Sequence, residues 1–322
     1  MGLKTRLDEL PKNRSPIMGN GEVIFIYKGD AEKVYLAGEY NRWEPEDKLV
    51  RLENSSLWYI EKTFPENARF EYKYIVDGRW IADPLNEQTD PGGSGNSILV
   101  MPGYRSSYEA ILAKTVPKGS LIKDIIYGSR YLNKKMRYHV YLPPDYKKGC
   151  NTILYALDGS DYLNFANIDR ILDYMIDKRE IPSSVAVLVD PDDRNTEYTV
   201  YEPYCSYVMN ELAPAVENEY LSPESGFVRQ IPERSVIGVS WGGLTALYLA
   251  FKTPFAFGRV LSQSGSFWPK DWLIFGMAEK AAAHTIRFCI QTGTIEDTEE
   301  MNDAMVALLK ANGQHVNYMK YA

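Results

Sequence analysis

From Glu22 to Val100, apolar and polar positions alternate in short runs: VIFIYKG, KVYLAGEY, LWYIEKTF, FEYKYIVDG, RWIADP and NSILVMP. A period of two puts every second side chain on one face of a pleated strand, and Asp-Gly and Gly-rich breaks between the runs are turn residues. The pattern predicts antiparallel strands in a small β-sandwich over residues 21–102, closed by the turn-rich TDPGGSGN, with 1–20 as an N-terminal extension. Residues 103–119 read as a linker or connecting helix: YRSSYEAILAK has some helical period, and Pro117 and Gly119 end it.

After residue 120 the rhythm changes. LIKDIIYGSRYL and KKMRYHVYLPPDY read as two paired strands; TILYALDG, SVAVLVD, SVIGVS, GRVLSQSG, IRFCIQTG and VNYMKYA then follow as short apolar runs, most bounded by Gly or Asp. Between most of them lie amphipathic stretches of helical period, among them FANIDRILDYMIDKR, YCSYVMNELAPAVENEYL, GGLTALYLAFK and EEMNDAMVALLKANG. Continuous apolar strands alternating with helices imply a largely parallel sheet covered on both faces. The expected fold is therefore an α/β domain over 120–322, preceded by an all-β sandwich.

Composition narrows the classes. Hydrophobic residues make up 45% and charged residues 25% of the 322, an ordinary globular balance. The net charge of −7 is spread along the chain, which disfavours nucleic acid as a partner, because phosphate rewards clustered Lys and Arg. Three widely separated cysteines, Cys150, Cys205 and Cys289, give neither a disulfide framework nor a zinc spacing. No metal or cofactor is expected. MGLKTRLDELPKNRSP lacks the apolar run of a secretory signal, and no segment approaches the ~20 apolar residues of a membrane helix. The expectation is a soluble, cytoplasmic protein.

The chemistry centres on VIGVSWGGLTALYLAF, where an apolar strand breaks on glycines around one serine and continues as a helix. A hydroxyl at such a corner is either a helix cap or a nucleophile held out for attack. Gly238-Val239-Ser240-Trp241-Gly242 fits G-x-S-x-G, and the strand before and helix after it are the context of a nucleophile elbow. Glycine two residues either side removes the collisions that a sharp turn would force. The helix N-terminus directs partial positive charge at the reacting centre, so the Trp241 amide is placed to stabilise an oxyanion. The second donor is expected in the loop after TILYAL, where Gly159 allows close backbone approach and the amide around Ser160 is the candidate.

VDPDDRNTEY, YCSYVMNELAPAVENEY, GVSWGGLTALYLAFKTPFAFGRVLSQSGSFW and IQTGTIED run in the order seen in enterochelin esterase-like enzymes. Over residues 120–322 the chain thus resembles the esterase D and feruloyl esterase group of α/β-hydrolases. The resemblance implies Ser240 as nucleophile and an acid in the loop after IRFCIQTG, with Glu296 favoured and Asp297 as fallback. It places Arg194 and Glu197 of DDRNTEY near the substrate pocket, where they would either grip a substrate oxygen or brace the loop. Trp241 and Trp268 would wall the acyl pocket or pack the core. Upstream, VYLAGEYNRWEP, FEYKYIVDGRWIADP and GNSILV resemble a glycogen-binding-type module of the early-set sandwich class. There Trp43 and Trp80 would stack on sugar rings and Lys73 and Asn96 would hydrogen-bond hydroxyls, unless they pack the sandwich. One apolar contact of that module falls in the Gly-rich stretch 91–95, which argues against tight α-glucan binding.

A serine hydrolase needs a base, usually His because its pKa lies near neutrality. His139 lies inside the strand RYHVYLP, while His284 and His315 precede strands and so stand at the edge opposite the chemistry. At ~3.3 Å per residue, seven strand residues put His315 roughly 20 Å away. In the resembling family the base lies just after the last strand, so a base beyond residue 322 is expected. The expected function is a serine carboxylic-ester hydrolase on a small-molecule or polysaccharide-linked ester. A catecholate siderophore trilactone is favoured over feruloyl or acetyl esters of plant polysaccharide, and a catalytically dead domain carrying a carbohydrate module is the remaining alternative.

Overall fold

The structure, a computed structural model, describes residues 13–321 except 20, 91–94, 106–110, 113, 148–149, 222–232, 254, 282–285 and 296–297. The chain forms two compact units: Met1–Arg105 with the short segment Thr294–Asp297, and Ser106–Gly293 with Thr298–Tyr321. Residues 106–110 and 113 of the expected linker lie outside the described residues.

The first unit is all-β. One sheet has the order β1 (Ile17–Met18), β2 (Glu22–Lys28), β6 (Leu57–Thr63), β5 (Val50–Arg51). The other runs β4 (Asp47–Lys48), β3 (Val34–Gly38), β7 (Arg69–Val76), β8 (Arg79–Ile81), with β9 (Ser97–Val100) also on β7. All pairings are antiparallel. In β7 the alternation is legible: Phe70, Tyr72 and Tyr74 are buried, while Arg69, Glu71 and Lys73 keep partial exposure. Phe70, Tyr72 and Tyr74 join Phe25, Trp58 and Leu99 in one apolar cluster, each large side chain stabilising by ~1.5–3 kcal/mol on burial.

The second unit is built on eight strands in the order β10-β11-β13-β12-β14-β15-β16-β17. β10 (Ser120–Ser129) and β11 (Lys134–Leu142) form the expected pair, which is antiparallel, and β11 runs antiparallel to β13 (Val185–Val189). β12 (Thr152–Leu157), β14 (Glu233–Val239), β15 (Arg259–Gln263), β16 (Arg287–Gly293) and β17 (His315–Tyr321) are parallel with β13. Both faces are covered. Ile153, Tyr155 and Leu157 of β12 enter the main apolar cluster, whereas Leu154 and Ala156 pack with Ile168 and Leu172 on the other side.

The described helices are α1 (Gly159–Asn164), α2 (Ile168–Asp177), α3 (Arg194–Glu197), α4 (Glu202–Tyr207), α5 (Ala213–Tyr220), α6 (Trp241–Lys252), α7 (Pro269–Lys280) and α8 (Glu299–Ala311); a π-helical turn, Val208–Leu212, joins α4 to α5. Helix α6 is buried from Gly242 through Ala250, as a helix apolar on all sides must be. Among the described residues no helix is long and apolar enough to cross a membrane.

Candidate active site

After β12 the chain crosses to β13 on one side, and it returns to place β14 on the other. Strand order therefore reverses between β12 and β14, and ligands of open α/β sheets bind at the carboxyl end of such a switch point. The residues that follow β12 and β14 are Asp158–Ser160 and Ser240–Trp241. The sheet thus brings together two sequence segments that are far apart in the chain.

Ser240 has φ 55° and ψ −120°, a backbone conformation that side-chain-bearing residues rarely adopt. It is held from both sides: its amide donates to the Gln263 carbonyl (2.9 Å), and its own carbonyl accepts from the amides of Leu244 and Ser266 (3.2 Å each). The flanking glycines are sterically required. A Cβ on Gly238 would lie 2.3 Å from the Gly242 backbone carbon and oxygen, so the two glycines of the motif face each other across the corner. The Ser240 hydroxyl lies 3.1 Å from the Ser266 hydroxyl, a partner that no sequence signal announced. Trp241 opens α6, and its amide is one of the helix's unsatisfied N-terminal donors.

The loop after β12 is equally constrained. Asp158 adopts a left-handed conformation (φ 60°, ψ 51°), and a Cβ on Gly159 would meet the Leu188 backbone at 2.3 Å. The Asp158 amide donates to the Tyr198 hydroxyl (2.8 Å). The Ser160 amide donates to Asp190 Oδ1 (2.7 Å), and its hydroxyl donates to Asp190 Oδ2 (2.7 Å). This corrects the expectation for Ser160: its amide is already spent on a buried carboxylate, which leaves Gly159 as the candidate second donor.

Arg194 is drawn into the site, but onto the protein itself. Its Nε and Nη2 donate to the two oxygens of Asp158 (3.0 Å each), and Nη2 also reaches the Val239 carbonyl (3.3 Å). Burial pushes the Asp158 carboxyl above its usual range, and the guanidinium partly offsets this. Glu197 turns inward, 1% exposed; its carboxylate accepts from the Asp192 amide (3.0 Å) and pairs with Lys134. These contacts are those of a loop brace, one of the two roles the sequence left open for it. Trp268, immediately before α7, is 41% exposed, two residues beyond Ser266.

No imidazole among the described residues serves Ser240. His139 is 4% exposed; its Nδ1 accepts from the Asp124 amide (3.0 Å), which fixes the proton on Nε2, 3.0 Å from the Ser160 hydroxyl. It therefore cannot act as a base toward Ser160 either. His315 stands in register with Arg287, Arg259 and Ser235, at the amino end of the parallel strands. Ser240 lies five residue steps beyond Ser235, about 16 Å along the strand. His284, Glu296 and Asp297 lie outside the described residues; β16, which leads toward the last two, ends at the same sheet edge as β15. Among the described residues no group of His, Cys, Asp and Glu is arranged to hold a metal ion.

On the first unit, the sugar-contact candidates share one region. The Trp43 and Trp80 rings lie 6.2 Å apart at 48°, with Trp80 48% exposed. Trp80 pairs with Ile75 on β7, the strand that carries Lys73, and Asn96 Nδ2 donates to Glu71 Oε2 (2.6 Å) on the same strand. Most of 91–95, the stretch that argued against tight binding, lies outside the described residues.

A serine on a strained strand-to-helix corner at the switch point of a doubly covered, mostly parallel sheet defines an α/β-hydrolase. Residues 129–321 match the family model described as "Putative esterase", and the chain belongs to that esterase family. Residues 22–102 match the model for the glycogen recognition site of AMP-activated protein kinase. The chain is 32% identical over 270 residues to an iron(III) enterobactin esterase of Escherichia coli strain K12, covering 73% of this chain and 65% of that protein's length. The crystal structure of the enterobactin esterase of Shigella flexneri, determined in the presence of enterobactin, superposes with a TM-score of 0.72 at 24% identity, over 93% of this chain and 87% of that one. A feruloyl esterase module from Clostridium thermocellum, an S954A mutant complexed with sinapinate, superposes at 0.54 with 16% identity, over 68% and 86%. At these identities the two structures speak for the fold.

Proposed function

We propose that the chain is a serine carboxylic-ester hydrolase that works through an acyl-enzyme on Ser240, with a catecholate siderophore trilactone as its substrate class. The observation that carries the reading is Ser240 itself. A strained, over-determined corner costs stability on the order of 1–3 kcal/mol and persists where function uses it. In the first step the Ser240 oxygen attacks the ester carbonyl carbon while its proton passes to a base. The oxyanion is met by the Trp241 amide and, in this reading, the Gly159 amide. Collapse expels the alcohol, and water then releases the acid. Glu296, or Asp297 as the alternative, is assigned the role of orienting the base. The siderophore substrate class is supported by the likeness to the enterobactin esterase of Escherichia coli. A cytoplasmic location is part of the same proposal.

The test is Ser240-dependent hydrolysis of enterobactin, ethyl ferulate and acetylated xylan, each measured beside S240A. Faster turnover of enterobactin supports the proposal, and a preference for ferulate or acetyl esters moves the substrate to polysaccharide. Because no described imidazole serves Ser240, turnover of p-nitrophenyl acetate by the 322-residue chain should be slow and should rise with added imidazole. Equal rates for the chain and S240A at every imidazole concentration would refute the esterase reading.

The Trp43–Trp80 pair, with Trp80 exposed and Trp43 partly so, favours a second, separate role: α-glucan binding by residues 22–102. Sedimentation with insoluble starch should retain the chain, and W80A should release it. Equal retention of both would end that reading.

A further inference from the structure

The guanidinium of Arg194 touches both segments that meet at the active site. It bonds both carboxylate oxygens of Asp158 on one side and the carbonyl of Val239 on the other. Its carbon lies 5.4 Å from the ring centroid of Tyr198 and 5.8 Å from that of Trp241, so the fork also lies over two aromatic rings. Tyr198 closes the loop, because its hydroxyl accepts the Asp158 amide and its carbonyl accepts from the Thr245 hydroxyl on α6 (3.1 Å). Asp158 Oδ2 itself lies 3.1 Å from where a Cβ on Gly242 would stand, directly over the first turn of α6.

We infer that Asp158 and Arg194 are positioning residues: their paired ionic hydrogen bonds tie the Gly159 loop to the Val239–Trp241 corner and set the spacing of the Gly159 and Trp241 amides. This rests on the esterase reading of Ser240 and deepens it. The two segments belong to different strands, and the strand ladder between β12 and β14 ends at Ala156 and Ile237. Beyond that point no backbone ladder fixes their separation, and the ion pair takes over. The far side of the loop is pinned independently, since Asp190 holds both the amide and the hydroxyl of Ser160. With the amides on both sides of it bonded to Tyr198 and Asp190, Gly159 is the amide of this loop that the inference assigns to the oxyanion. A planar, bidentate donor is required here; a Lys ammonium reaches one carboxylate oxygen but cannot also stack and bond Val239.

The competing role for Arg194 is gripping an anionic substrate, and kinetics separate the two. A strut acts on the transition state of any ester, whereas a grip acts on binding of charged ones. D158N, R194Q, R194K, R194A and the double variant D158N/R194Q would be made in the 322-residue chain. The readouts are kcat and KM for neutral p-nitrophenyl acetate with imidazole present and the S240A rate subtracted, together with thermal unfolding. A loop displaced by about 1 Å costs on the order of 100-fold in rate. The expected result is a 10- to 100-fold loss of kcat for each single variant with KM within about twofold. R194K should recover little, the double variant should be no slower than the slower single one, and millimolar guanidinium should partly restore R194A. Unchanged kcat on the neutral ester, with KM raised only for a carboxylate-bearing ester, would overturn the inference in favour of a grip and leave the esterase reading intact. Losses that merely follow the unfolded fraction and ignore guanidinium would also overturn it. A Ser240-independent rate in the parent chain would sink both readings.

Discussion

Replacing Gly238 by Ala tests the corner directly. The added Cβ would sit 2.3 Å from the Gly242 backbone carbon and oxygen and 2.9 Å from its Cα. All three contacts are backbone, so no side chain can swing away. Ordinary contact begins near 3.4 Å. The end of β14 and the first turn of α6 must therefore part by about 1 Å, in a strand whose Val236 is completely buried. Overpacking of this kind costs roughly 1–3 kcal/mol, and a 1 Å misplacement of a reacting group costs about 100-fold in rate. Gly258 supplies the control, since a Cβ there meets nothing within 4 Å. Urea unfolding followed by circular dichroism should place G238A about 1–3 kcal/mol below the parent and G258A close to it. Ser240-dependent ester turnover in the folded fraction should fall about 100-fold in G238A alone. A G238A protein as stable and as active as G258A would refute the steric account of the motif.

Because Ser240 sits at φ 55°, S240G should be more stable than S240A by about 1 kcal/mol; both lose the hydroxyl, so equal midpoints in thermal unfolding would mean the corner is unstrained. Hydrogen bonds from Lys320 and Tyr318 hold the Asp303 carboxyl below its usual range. A lowered folded-state value stabilises above the unfolded value near 4 and is lost as pH falls through the folded value, so the advantage of the parent over D303N, at most about 1 kcal/mol for exposed partners, should hold at pH 5–7 and shrink below pH 4. An advantage that grew on acidification would contradict this. Burial pushes the Cys205 thiol up to about 12, so iodoacetamide at pH 8 should leave Cys205 unmodified in the folded protein and alkylate it in urea, as peptide mass spectrometry would read. Rapid alkylation of the folded chain would show that the helix carrying it opens.

Local patterns carried much of this protein. The alternation in FEYKYIVDG made a strand with two unlike faces, and the fully apolar SVAVLVD made one buried on both, because side-chain period and burial are dictated residue by residue. The elbow was legible for the same reason: strand, glycine, serine, glycine and helix are contiguous, and the collision that demands the glycines is between neighbours four residues apart. The strut and the pinning of the oxyanion loop were not. Asp158 and Arg194 are 36 residues apart, and Ser160 and Asp190 are 30 apart. Nothing in either segment says which carboxylate will take which donor. That choice was made by strand order, which sent β13 and β14 to opposite sides of β12 and gathered their carboxyl ends at one edge. For the same reason, sequence could not tell that the Ser160 amide would be taken up by Asp190. Which of three adjacent amides stays unpaired depends on Tyr198 and Asp190, and only the assembled sheet brings those two side chains to the loop.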